Sequence, residues 1–142
     1  LDDTYNAAPS AVEAALATLK IIPARRRIAV LGNMAELGKY SVEAHRDIGK
    51  LSADVADILI AVGDKANIIR EEASLAGIDT HWVETSQEVA AILLPIIREG
   101  DVILVKGAQS MRMERVVEDI MAEPQKAKDL LVRQSVDWKQ KD

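Results

Sequence analysis

The sequence predicts an α/β domain of three layers, with a mostly parallel sheet of about five to six strands and helices on both faces. Three observations carry this expectation. The apolar runs Ile28-Ala29-Val30-Leu31, Ile58-Leu59-Ile60-Ala61-Val62 and Asp101 to Val105 are continuous rather than alternating, so each strand is buried on both faces. The segments between them carry apolar residues at helical spacing. Strand and helix alternate strictly across short connections, the pattern of parallel strands joined by crossover helices, which places every strand C-terminus on one edge.

Leu1-Asp2-Asp3 reads as the tail of a strand that begins earlier; together with the missing initiator Met, this makes the chain an expected part of a longer protein. Asn6 to Pro9 reads as a turn. Ser10 and Glu13 have the spacing of a capping box, and Val12, Ala15, Leu16 and Leu19 give the helix one apolar face until Pro23. Arg25-Arg26-Arg27 reads as a solvated lead into the strand Arg27 to Leu31. After the loop Gly32 to Gly38, Ser41 is expected to cap a helix with the stripe Ala44, Ile48, Leu51 and Val55. Gly63-Asp64 ends the second strand. A helix from Lys65 to Ala76 buries Ala66, Ile69, Ala73 and Ala76, and Gly77 closes it. His81-Trp82-Val83 is a short strand near an edge. Thr85 and Glu88 form a second capping box before Val89, Ile92, Leu93 and Ile96, a helix that Pro95 should kink or split. Lys106-Gly107 ends the third strong strand, and Met113, Val116, Val117 and Ile120 mark another helix. Past Glu123-Pro124 the composition turns strongly charged. The expected division is therefore a domain over 1–123 and a charged C-terminal helix or tail over 124–142.

The 142 residues are the size of one domain, and 49% apolar residues suffice for a core built almost wholly of Ala, Ile, Leu and Val, since Phe is absent. A net charge of −5 without a basic run argues against nucleic acid or an anionic membrane as partner. There is no Cys, hence no disulfide framework, thiolate metal site or Cys nucleophile. No apolar stretch nears the roughly 20 residues that span a bilayer, and no signal peptide is visible. By exclusion the expected location is the cytoplasm.

Three strand ends carry glycine. Gly63 reads as a tight turn, whereas the polar neighbours of Gly32 and Gly107 suggest close approach of a ligand. Gly32 to Lys39 nearly matches a phosphate-cradling loop, but five residues separate its glycines instead of four, and Tyr40 stands where Ser or Thr would meet magnesium. The Glu36 carboxylate would also repel phosphates. Glu36 and His45 form a candidate acid/base pair, too small for a metal site; taken alone, His45 reads as a packing histidine, and so does His81. Asp2, Asp3, Tyr5 and Asn6 follow a strand end, where they could meet a nucleotide's ribose and base or simply turn the chain. Lys106 and Arg112 bring positive charge suited to a carboxylate or phosphate.

Together these stretches resemble the Mur ligases. Asp2-Asp3-Thr4-Tyr5-Asn6-Ala7-Ala8-Pro9 is similar to their D-D-x-Y-N-A-N-P. Leu31-Gly32-Asn33-Met34-Ala35-Glu36-Leu37-Gly38 with His45 resembles L-G-D-M-x-E-L-G and a helix His. Val105-Lys106-Gly107-Ala108-Gln109-Ser110-Met111-Arg112-Met113-Glu114 resembles V-K-G-S-R-x-x-x-M-E. The resemblance covers about residues 1–121 and departs at Ala8, Asn33 and Ala108-Gln109. It implies a Rossmann-like C-terminal domain of a ligase that uses ATP and Mg2+, with D-alanyl-D-alanine as incoming amine and a UDP-linked muramoyl tripeptide as acceptor. The central ATP-binding and N-terminal UDP-substrate domains would lie outside this chain, which alone would be inactive and hold no nucleotide or metal tightly. By the same resemblance Asp3, Tyr5 and Asn6 would line the nucleotide or the interdomain cleft. Asn33, Glu36, His45, Lys106 and Arg112 would bind substrate. Two alternatives stay open: a stand-alone binding or regulatory module of the same fold, which the departures at Asn33 and Gln109 favour, and the matching domain of a folylpolyglutamate synthase-like ligase.

Overall fold

Five strands, all parallel, lie in the order β3-β2-β1-β4-β5 in the computed structural model, which describes residues 8–123 and the backbone of Leu131–Gln134. They are β1 (Arg26–Gly32), β2 (Ile58–Val62), β3 (Asp79–Val83), β4 (Asp101–Lys106) and β5 (Leu131–Gln134). The helices are α1 (Pro9–Ile21), α2 (Ser41–Val55), α3 (Ala66–Leu75), α4 (Val89–Leu93) and α5 (Glu114–Met121). Successive strand residues point to opposite faces and sort the core into two halves. Ala29, Leu31, Leu59, Ala61, Val102 and Leu104 pack with Leu16 and Leu19 of α1, Ile48 of α2 and Ile69 of α3. Ile28, Val30, Ile60, Ile103 and Val105 pack with Val89 and Leu93 of α4 and with Val116 and Ile120 of α5. The chain lays down β1, β2 and β3 in one direction, then crosses back to set β4 on the far side of β1. The helices change face where this direction reverses, as crossovers of a single hand require.

The ends of the elements correct four expectations. Ser10 does not cap α1: Ala8 is the N-cap and Pro9 takes the first helical position, where its missing N–H costs nothing. Ser41 likewise lies inside α2, behind Tyr40. α4 stops at Leu93, ahead of Pro95, so the proline ends the helix rather than kinking it. Leu131–Gln134, placed by the sequence in a charged helix or tail, is a strand paired in register with Val102–Val105, so the sheet runs past residue 123. The Thr85–Glu88 capping box is present, and Gly77 follows α3 with φ 93°.

Of the three arginines only Arg25 is exposed as expected of a solvated lead; Arg26 and Arg27 are tied into the protein. Arg25 packs its side chain over Gly100. Arg26 forms a two-pronged pair with Asp101, Nε to Oδ1 at 3.0 Å and Nη2 to Oδ2 at 2.7 Å, and also donates to the Ile96 carbonyl at 2.7 Å. The carboxylate raises the Arg26 pKa, chiefly through that hydrogen bond. Arg27 donates to the carbonyls of Leu19 at 2.8 Å and Ile22 at 2.7 Å, satisfying the frayed end of α1. Strand β1 thus reads as polar at its start because that polarity ties α1 and β4 to it.

Candidate functional site

The strand order reverses beside β1, and in open α/β sheets ligands gather at the carboxyl edge of such a point. Here three strand-end loops meet at that edge: Asn33 to Tyr40 after β1, Gly63 to Lys65 after β2, and Gly107 to Met113 after β4. Apolar residues at every third position, Leu31, Met34 and Leu37, fix the first loop to the core on the α1–α3 face, leaving Asn33 half-buried and Glu36 exposed.

Asn33 spends its side-chain amide within the protein. Its Nδ2 donates to Asp64 Oδ1 at 2.9 Å and its Oδ1 accepts the Ala66 N–H at 2.7 Å. Its backbone carbonyl accepts the Ala108 N–H at 3.1 Å. The Asp64 carboxyl is held below its ordinary range, first by the Asn33 hydrogen bond and then by the Lys65 backbone amide. The next residue, Met34, donates its N–H to His45 Nε2 at 3.0 Å, while His45 Nδ1 lies 2.7 Å from the Ser41 carbonyl. An amide N–H can only donate and a carbonyl only accept, so the imidazole is neutral with its proton on Nδ1. His45 is fully buried, and burial, the leading cause, pushes its pKa below the ordinary value. His45 therefore does not pair with Glu36: its Nε2 holds the loop at Met34, and its Nδ1 is spent on the Ser41 carbonyl within α2.

Glu36 adopts φ 61° and Gly38 φ 55°. Left-handed backbone is unfavourable for a residue with a Cβ, so Glu36→Gly should raise stability by about 0.5–1 kcal/mol in thermal unfolding; a lowered midpoint would contradict this. Lys106 is buried at the end of β4, opposite Leu31 in register. Arg112 is exposed with φ 53°, and its Nε donates to Glu114 Oε2 at 2.7 Å, which raises its pKa. Asp3, Tyr5 and Asn6 lie outside the described residues. The loop ties bring Asn33 and the Lys106 strand end together, and Glu36 stands on the solvent side of the same loop.

Gly32 and Gly107 are close-approach glycines, but to the protein's own atoms. A Cβ on Gly32 would lie 3.2 Å from Met113 Sδ and 3.3 Å from Met111 Cγ; one on Gly107 would lie 2.7 Å from Met113 Cγ. Met111 and Met113 thus roof the switch point, so a ligand meets the edge outside the glycines rather than between them. Their role was hidden in the sequence because methionine at helical spacing reads as core. A shallow concavity beside the first loop is lined by Pro9, Glu13, Tyr40, Glu43, Ala44 and Asp47, and its three carboxylates make it unsuited to phosphate. Among the described residues no group of three or more His, Cys, Asp or Glu side chains could hold a metal ion, and no helix is long and apolar enough to cross a membrane. The loop after β1 does not cradle phosphate: Met34 is buried, its N–H is taken by His45, and Glu36 stands exposed.

A parallel α/β domain whose strand-end loops gather at the switch point is the class of fold seen here, and the chain belongs to the Mur ligase family: residues 1–109 match the family described as Mur ligase, glutamate ligase domain. Among curated relatives it is similar to the UDP-N-acetylmuramoyl-tripeptide–D-alanyl-D-alanine ligases of Synechocystis, 33% identical over 87% of this chain, and of Escherichia coli K12, 34% identical over 82%. The chain spans 27% and 25% of the length of those two relatives. Among solved structures it is similar to the MurF ligase of Thermotoga maritima in complex with ADP, with 31% identity, TM-score 0.72 and coverage of 89% of this chain and 29% of that one. A MurF structure from Acinetobacter baumannii gives 31% identity, TM-score 0.74 and coverage of 86% and 28%.

Proposed function

We propose that this chain is the C-terminal, substrate-side closing domain of an ATP-dependent amide ligase of peptidoglycan synthesis, one that joins D-alanyl-D-alanine to UDP-N-acetylmuramoyl-tripeptide. The observation that carries the proposal is the convergence of the Asn33–Gly38 and Lys106–Met113 stretches on one carboxyl edge, in a fold shared with MurF structures. The ATP phosphates and Mg2+ would be held by residues outside this chain. The chain's own part is to bind and orient the amine substrate and to shut water out of the cleft when the domain closes. Glu36 stands exposed on the loop wall. The positive charges of Lys106 and Arg112 suit the dipeptide carboxylate, Arg112 with the nitrogens that Glu114 leaves open. Asp3, Tyr5 and Asn6 would contribute the nucleotide side of the cleft.

The test compares two proteins. The 142-residue chain alone should release no phosphate from ATP. The full ligase carrying it should form amide product only when the UDP-tripeptide and D-alanyl-D-alanine are both present. ATP turnover by the chain alone, or a preference for glutamate over D-alanyl-D-alanine in the full ligase, would overturn the proposal. The glutamate outcome would favour a folylpolyglutamate synthase-like enzyme.

A further inference from the structure

We infer that Asn33 and Asp64 are a positioning pair that fixes the Asn33–Gly38 wall before substrate arrives. Its consequence for catalysis rests on the ligase reading above; its existence rests on geometry alone. Asn33 is the point where β1 is tied to both neighbouring strand ends: to Asp64 and Ala66 beyond β2, and to Ala108 beyond β4. The polarity of the amide is dictated. Its carbonyl end must face the Ala66 N–H, so its NH2 end faces the Asp64 carboxylate. Gly63 leaves the space the amide fills, since a Cβ there would sit 2.6 Å from Asn33 Oδ1. An Asp at position 33, the residue in the ligase pattern this loop resembles, would set two carboxylates against each other at the 2.9 Å of the present hydrogen bond. Asn33 is thus matched to Asp64. Because Asn33 and Met34 are adjacent, the pair and the His45 bond together clamp the start of the loop that displays Glu36. Asn33 acts on substrate through the placement of that loop, not by touching it.

The test uses the full ligase carrying this chain. Asn33→Asp should raise the KM for D-alanyl-D-alanine by about tenfold while the KM for ATP stays within about twofold. The exchanged variant, Asn33→Asp with Asp64→Asn, restores one donor facing one carboxylate and should bring the KM back to within about threefold of wild type. Hydrogen exchange at the Ala66 and Ala108 amides gives a readout independent of activity: faster in the single variant, restored in the exchanged one. An equal loss for both substrates, or restored protection without restored KM, would overturn the positioning role. Should the wild-type ligase ignore D-alanyl-D-alanine, the functional proposal falls, while the exchange rates still decide the pair: unchanged protection in Asn33→Asp would refute it.

Discussion

Replacing Asp101 with Ala is expected to destabilise the chain by about 3–5 kcal/mol, the largest effect of any single substitution considered. Asp101 is almost wholly buried, with 1% of its side chain exposed. It is shared by Arg26 and by the Arg98 backbone N–H, which donates to Oδ2 at 2.7 Å. Removing the carboxylate strands the Arg98 N–H and leaves the Arg26 guanidinium with only the Ile96 carbonyl, and a guanidinium without its counter-charge at the core boundary is costlier than an unmade neutral hydrogen bond. Chemical denaturation should show a lower midpoint at unchanged slope. Replacing both partners, Arg26→Met with Asp101→Leu, should recover most of the loss, because a well-packed apolar pair of similar volume is often as stable as a buried ion pair. A loss below about 1 kcal/mol in Asp101→Ala would show that the pair is no anchor.

His45→Ala is expected to cost about 2–4 kcal/mol, combining a cavity in the α2 face with an orphaned Met34 N–H. A pH effect accompanies it. The folded pKa lies below the ordinary value of about 6.5, chiefly because burial disfavours the imidazolium and further because Lys65 is nearby, although the Ser41 carbonyl and Asp64 act in the opposite sense. The unfolded chain thus binds a proton that the folded chain refuses. This share of stability is complete above the unfolded pKa and falls as pH drops from about 6.5 toward the folded pKa. Protonation would also turn Nε2 into a donor facing the Met34 N–H. Thermal midpoints of wild type and His45→Gln between pH 5 and 8 should differ in slope, with the wild type losing more on the acid side. Parallel curves would remove the buried neutral imidazole from the account.

The layered fold was legible because continuous apolar strands and helical stripes are signals of burial, and burial decides both. The strand order was not, since residues 26 and 101 meet only after the chain has doubled back across the sheet. The C-terminal strand escaped notice because Leu131-Val-Arg-Gln134 is short and set in charged sequence, whereas its state is settled by pairing with β4. At the site, the loops were found through their glycines and polar residues, but the roles shifted. His45 is the packing, hydrogen-bonding histidine that its helix position suggests, but the Met34 amide and the Ser41 carbonyl that occupy its nitrogens are not visible in the sequence. Asn33 reads as a substrate contact until the β1–β2 register sets it beside Asp64. Gly32 and Gly107 read as room for a ligand until Met111 and Met113 fill it. For Asn33 and Gly32 the missing information was a partner distant in sequence, and for His45 it was the path of the intervening loop; propensity and spacing supply neither.

The reversal of strand order also shapes how the molecule comes into being. The β1–β2 and β2–β3 pairings each close a loop of one helix, whereas the Arg26–Asp101 contact joins residues 75 apart in the chain. Closing that span before its neighbours exist carries the greater entropic cost, so β4 is expected to dock after β1–β3 have paired. The Ala108 amide reaches Asn33 only then. The wall is therefore expected to be complete only after β4 has docked onto β1.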